Sequence, residues 1–199
     1  MCGGTYPHWE EPRHFSLVHG ERVLDRTIRL LKENGVEDIY VSATDPRFDE
    51  YNPLKHENTF VAYKTTNWVD AFYPMDEPVC YIMGDVVFSS EAIKTIVNTQ
   101  TNDVEFFASA PPYSKQYSKP WAEPFAFKVV NTKHFRESIE EVKRYKSWNR
   151  TPIAWELWQV IKNTPRNKIN YTNYTSIHDY TCDIDEPGDV AFYNSIELD

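Results

Sequence analysis

The chain lacks any apolar run long enough to cross a bilayer; its longest stretches are of the size of Val79-Cys80-Tyr81-Ile82-Met83. Its opening, Met-Cys-Gly-Gly, has neither the charged nor the apolar block of a signal peptide. Cysteine is scarce too. Cys2, Cys80 and Cys182 are odd in number, far apart and without C-x-x-C spacing, which excludes a disulfide framework and a zinc site and reads as reduced thiols. Basic residues are the minority charge, 21 against 30 acidic for a net −9, and this argues against duplex nucleic acid as the main partner. It leaves room for a small nucleotide held by backbone N–H groups and a metal ion. The histidines (His8, His14, His19, His56, His134 and His178) show no H-x-x-x-H spacing, and no Ser or Cys stands in a G-x-S-x-G context. There is no repeat, no low-complexity stretch and no linker-like shift of composition. The bulk reading is a cytoplasmic chain with no membrane and no nucleic-acid partner.

At 41% hydrophobic the chain is too apolar to be disordered, and 199 residues suit one domain, taken as residues 1–199. Helical and strand patterns alternate. Residues 21–34 put Leu24, Ile28 and Leu31 on one stripe, with Gly35 as the stop. A short strand is expected over 38–42, a weaker one over 59–63 and a short helix over 67–73. Residues 79–83 read as a buried strand ending at Gly84-Asp85. Ser89 then caps a helix through Ile93, Ile96 and Val97. Strands over 104–108 and 125–130 flank a Pro- and aromatic-rich arch, 111–124. Helices follow over 133–145 and 152–162, then a strand-like run at 177–184 and a helix from Pro187. This order predicts a layered α/β fold with a mostly parallel sheet.

Three constellations lie where such a fold places its ligands, at the carboxyl ends of strands. The first is Gly3-Gly4-Thr5, whose glycines let backbone approach phosphates, with Arg13 as a fixed cation; a flexible chain start reads equally from Gly-Gly alone. The second is Gly84-Asp85, where the carboxylate either holds Mg²⁺ or caps the next turn. The third is Asp183-Ile184-Asp185-Glu186-Pro187-Gly188-Asp189. Alternation along a strand end puts Asp183 and Asp185 on one face, Asp185 is a candidate to share a metal with Asp85, and Asp189 suits a helix cap. Trp155 and Trp158 read as packing, and Lys64, Lys115, Lys119, Lys128 and Lys168 as individually weak anion contacts.

Taken in order, these pieces resemble the nucleotidyltransferase superfamily of sugar-phosphate, alditol-phosphate and phosphocholine cytidylyl- or uridylyltransferases. The resemblance rests on Gly3-Gly4 with Pro12-Arg13-His14-Phe15-Ser16-Leu17-Val18-His19-Gly20-Glu21, on Asn34-Gly35-Val36-Glu37-Asp38-Ile39-Tyr40-Val41, on Gly84-Asp85-Val86-Val87-Phe88, and on Asp183-Ile184-Asp185-Glu186-Pro187-Gly188-Asp189-Val190. It implies a three-layer Rossmann-like nucleotidyltransferase fold with a mixed, mostly parallel sheet, and Mg²⁺ as cofactor. The implied reaction is transfer of a nucleoside monophosphate from a triphosphate (CTP or UTP) to a phosphorylated small acceptor such as a sugar phosphate, with release of pyrophosphate. Under the resemblance Gly3, Gly4 and Thr5 cradle the triphosphate, and Arg13 neutralises the α-phosphate where the family has lysine. Asp85 and Asp185 hold the metal with Asp183 as a further ligand. Asn67 and Trp68 lie near the base, and Glu123 and Lys128 near the acceptor. A homodimer is a further expectation. The family's G-x-G-T-R stands here as Gly-Gly-Thr-Tyr-Pro, and its first, central strand is missing, which points to a start upstream of Met1. Two rivals remain: a GT-A-type glycosyltransferase using Asp183-x-Asp185 on a nucleotide sugar, and a non-catalytic nucleotide binder.

Overall fold

The computed structural model describes residues 1–2, 9–55, 68–109, 122–144 and 152–198. The expected strand at 59–63, nearly all of the arch at 111–124, and the site candidates Gly3, Gly4, Thr5 and Asn67 fall outside them.

A turn at Arg13–Phe15 leads into the hairpin β1 (Leu17–Val18) and β2 (Glu21–Arg22). Helix α1 (Val23–Glu33) follows, its buried face set by Val23, Leu24, Thr27, Leu30 and Leu31. It stops at Gly35, whose φ of +81° a side chain rarely adopts. Then come β3 (Val79–Ile82), β4 (Val86–Val87), α2 (Ser90–Asn98), β5 (Val104–Ala108), β6 (Pro124–Val129), α3 (Thr132–Lys143) and α4 (Ala154–Ile161). The chain closes with β7 (Thr175–Ser176), β8 (Cys182–Asp183) and α5 (Pro187–Tyr193). Ser89 caps α2 as expected, its Oγ accepting from Ala92 N at 2.9 Å.

The main sheet has the order β3-β6-β5-β7. It is mixed, as expected, but its parallel share is smaller: β3–β6 and β6–β5 are antiparallel and β5–β7 is parallel. β6 is the reason, since it returns from the arch directly between β3 and β5. Alternation along β6 sends Phe127 to one face and Lys128 to the other. On the first face Phe127 stacks on Phe106 (4.4 Å between centroids) and meets Phe135 of α3, while Phe106 meets Trp155 and Trp158 of α4. Both tryptophans are buried and donate to carbonyls of Ala122 and Thr172, so they are core side chains, as their spacing suggests. On the opposite face Lys128 Nζ donates to Ile96 O, Val97 O and Thr99 O and closes the end of α2. Helices thus cover both faces of the sheet.

Two expected strands come out differently. Residues 38–42 form no strand; Ser42 makes a single parallel bridge with Leu54. The run 177–184 splits, because Ile177 N is held by Ala108 O in the main sheet whereas Ile184 N is held by Asp85 O. Its last part pairs as β8 with β4, Val86 opposite Asp183 and Val87 opposite Cys182. Where the resemblance expects the first strand, Met1 and Cys2 lie between these elements. The Met1 ammonium donates to Ile82 O (2.7 Å), Gly84 N to Met1 O (2.8 Å), and Cys2 N to Ser42 O (2.8 Å).

Candidate functional site

The β4–β8 pair joins two acidic turns that are remote in sequence. Gly84-Asp85 precedes β4, Ile184-Asp185 follows β8, and Ile184 N donates to Asp85 O at 2.9 Å. Gly84 is required by packing: a Cβ there would sit 2.5 Å from Cys2 Sγ, 2.7 Å from Met1 O and 2.9 Å from His14 Cδ2. Asp185 is held along its length. Its N–H donates to Asp189 Oδ2 (2.8 Å), and its carbonyl accepts from Trp9 Nε1 (3.1 Å). Asp189 also accepts from Glu186 N; Glu186 is the N-cap of α5, and Asp189, expected as the cap, stands three positions on and completes a capping box with it.

Arg13 links the two turns. Its guanidinium donates to Ile184 O at 2.6 Å and to Asp185 Oδ1 at 2.9 Å through Nη1, and to Asp85 Oδ2 through Nη2. The side chain is 5% exposed, against 18% for Asp85 and 42% for Asp185. Asp85 and Asp185 therefore do converge, as expected, but the cation between them is the guanidinium. Burial pushes the Asp85 carboxyl up, and the charge of Arg13 with the hydrogen bonds to the carboxylate outweighs this, leaving it below the usual carboxylate range. These hydrogen bonds of Arg13, the residue expected to meet a phosphate, are directed at carboxylate and carbonyl oxygens.

A second carboxylate group adjoins this one. Glu123, Asp183 and Asp185 each bring an oxygen within 4.8 Å of the others. Asp183 and Asp185 share a face, as the alternation predicts. Glu123 is 8% exposed and fixed between β5 and β6, with its N–H donating to Ser109 Oγ and Ser109 N donating to Glu123 O, each at 2.9 Å. Three hard oxygen donors suit Mg²⁺, and Asp185 belongs to both groups.

Glu123 and Lys128, expected together near an acceptor, are separated. Glu123 precedes β6 and joins the acidic group, whereas Lys128 closes α2. Trp68 opens a turn at Trp68–Ala71 and packs edge-on against Phe72 (5.6 Å), which in turn meets Tyr81, Phe127 and Phe135. It is part of the aromatic packing beside α3.

Sequence reasoning did not single out Trp9 or His14, and it gave Asp189 a cap role without its bond to Asp185 N. His14 is 2% exposed, set edge-on to Phe48 at 5.2 Å, and its Nδ1 has no hydrogen-bond partner among the described residues. Burial, opposed by the charge of Asp85, lowers it to about 4, so it is neutral. Its place directly after Arg13 was the one available signal.

No family model matches the chain, and no curated protein matches it by sequence. Among solved structures it is similar to the inositol-1-phosphate CTP transferase from T. maritima. The TM-score is 0.53 at 15% sequence identity, over 94% of this chain and 87% of that one. At this identity the likeness is one of fold: the two chains share an α/β architecture across nearly their whole lengths. No helix among the described residues is long and apolar enough to cross a membrane.

Proposed function

We propose that the chain is a nucleotidyltransferase that moves a nucleoside monophosphate from a triphosphate to a phosphorylated small-molecule acceptor. The observation that carries this reading is the meeting of Arg13, Asp85, Asp185, Asp183 and Glu123, from four separate stretches of chain, within an architecture shared with a CTP transferase. Neither half suffices alone, since folds host many chemistries and acidic clusters are common.

In the proposed reaction an oxygen of the acceptor phosphate attacks the α-phosphorus in line. The new P–O bond forms as the bond to the β-phosphate bridging oxygen breaks, and pyrophosphate leaves. Such a transfer needs positioning and charge neutralisation rather than a protein nucleophile. Glu123, Asp183 and Asp185 would hold Mg²⁺, which when bound supplies positive charge to phosphate oxygens. Arg13 holds the turns of Asp85 and Asp185 at a fixed separation, and Asp189 and Trp9 hold the backbone of Asp185. Gly3, Gly4 and Thr5 are proposed for the triphosphate, Asn67 for the base, and CTP or UTP as the donor.

The test is a pyrophosphate-release assay with Mg²⁺, run across the four common triphosphates against phosphorylated sugars and alditols. A parallel arm offers nucleotide sugars and reads nucleoside diphosphate. Pyrophosphate that requires both substrates supports the proposal. Nucleoside diphosphate from the second arm favours the glycosyltransferase reading, to which the shared face of Asp183 and Asp185 also lends itself, and overturns this one.

A further inference from the structure

Asp185 stands in two groups of charges at once. Its Oδ1 accepts from Arg13 Nη1 at 2.9 Å, and it also brings an oxygen within 4.8 Å of those of Glu123 and Asp183. Asp85 meets the same guanidinium but lies outside the three-carboxylate group. A guanidinium and a divalent cation draw on the same negative charge and repel each other. A stronger hold on Asp185 by one therefore weakens the hold of the other.

The surroundings let Asp185 change partner without stranding Arg13. The guanidinium is buried, and Asp185 is the more exposed of its two carboxylate partners, so a cation from solvent reaches Asp185 before it reaches Arg13. When Asp185 Oδ1 turns away, Nη2 still donates to Asp85 and Nη1 still donates to Ile184 O at 2.6 Å. The buried positive charge stays paired throughout. The backbone of Asp185 stays in place as well, pinned by Asp189 Oδ2 and by Trp9 Nε1. Only the side-chain torsions have to change.

We propose that Arg13 is an internal competitor for Asp185: its guanidinium lowers the affinity of Glu123, Asp183 and Asp185 for a divalent cation, and the cation in turn draws Asp185 away from Nη1. Arg13 is then a positioning residue that sets cation affinity through Asp185, besides tying the two turns together. The inference rests on the cation site of the proposed function and not on the transfer reaction. Linkage makes the effect reciprocal. The factor by which Arg13 weakens the cation is the factor by which the cation weakens the contact of Arg13 with Asp185.

The experiment titrates Mn²⁺, followed by water proton relaxation, into four chains checked for folding by circular dichroism. These are the unaltered chain, Asp85→Asn, Arg13→Met with Asp85→Asn, and that double variant with Glu123→Gln added. The double variant differs from Asp85→Asn at Arg13 alone, and it loses one charge of each sign relative to the unaltered chain. It is expected to bind Mn²⁺ about tenfold or more tightly than either, and Glu123→Gln is expected to abolish the gain. An Arg13 that only tied the turns would have the opposite effect, since its loss would loosen the carboxylates. Equal or weaker binding by the double variant therefore overturns the proposal and leaves the cation site standing. A gain that survives Glu123→Gln puts the cation elsewhere and overturns it too. Absence of binding by both the unaltered chain and the double variant overturns it together with the cation site. A second measurement needs no substitution: Mg²⁺ is titrated into the unaltered chain while hydrogen exchange at Arg13 Nη1 is followed by NMR. Exchange is expected to quicken by about threefold or more as Asp185 leaves, and an unchanged rate at saturating Mg²⁺ overturns the proposal.

Discussion

Arg13 and Asp85, 72 positions apart, meet as a largely buried ion pair, the arginine enclosed and the aspartate 18% exposed, and the same guanidinium reaches Asp185 on the neighbouring turn. A buried pair gains little over an apolar substitute, yet removing one member strands the other's charge. Arg13→Met is therefore expected to destabilise the chain by about 3 kcal/mol or more in urea unfolding, because Asp85 is left buried and ionised. Arg13→Met with Asp85→Asn should recover much of that loss. Equal losses in the single and double variants would show that the pair does not hold the turns together.

His14 sets a second expectation, in pH. Its folded-state value of about 4 lies below the ordinary 6.5, so the unfolded chain binds a proton that the folded chain refuses. Stability should be level above pH 6.5, then fall by about 1.4 kcal/mol per pH unit towards pH 4, up to roughly 3 kcal/mol in all. The depressed Asp85 value adds a loss at still lower pH, below the ordinary carboxylate range. In His14→Leu the slope between pH 6.5 and 4 should shrink by the share due to His14. An unchanged slope would place the titration elsewhere.

The carboxylates divide into two sets, and cation binding should separate them. With Mn²⁺ as a paramagnetic probe, Glu123→Gln and Asp183→Asn are expected to weaken binding by about tenfold or more, by removing a charged ligand. Asp85→Asn should weaken it less, since Asp85 is engaged with Arg13. Titration followed by water proton relaxation reads this without any turnover. The reverse order of effects would return the metal to Asp85.

What could be read from the sequence follows its periodic signals. The amphipathic stripe and Gly35 mark α1, Ser89 marks the start of α2, and short β-rich runs mark β3, β5 and β6. The run at 38–42 carries the same β-rich signal, but among the described residues it makes only single backbone bonds, at Cys2 and Leu54, and a ladder needs a partner along its length. The residues Asp85, Asp183 and Asp185 were legible as strand-end carboxylates. That Arg13 would stand between two of them was not, since a contact across 172 positions leaves no local pattern. Glu123 and Lys128 show the same limit: their positions give the alternation of β6, but not that one end meets an acidic turn and the other the end of α2.

The account turns on the acidic group serving phosphoryl chemistry, and pyrophosphate release by the unaltered chain beside Asp185→Asn tests it most directly. The expected result is release that needs Mg²⁺, a triphosphate and a phosphorylated acceptor together, falling by about a hundredfold or more in Asp185→Asn while circular dichroism shows the variant still folded. Release that persists unchanged in folded Asp185→Asn, or none from the unaltered folded chain with any substrate pair, would contradict it.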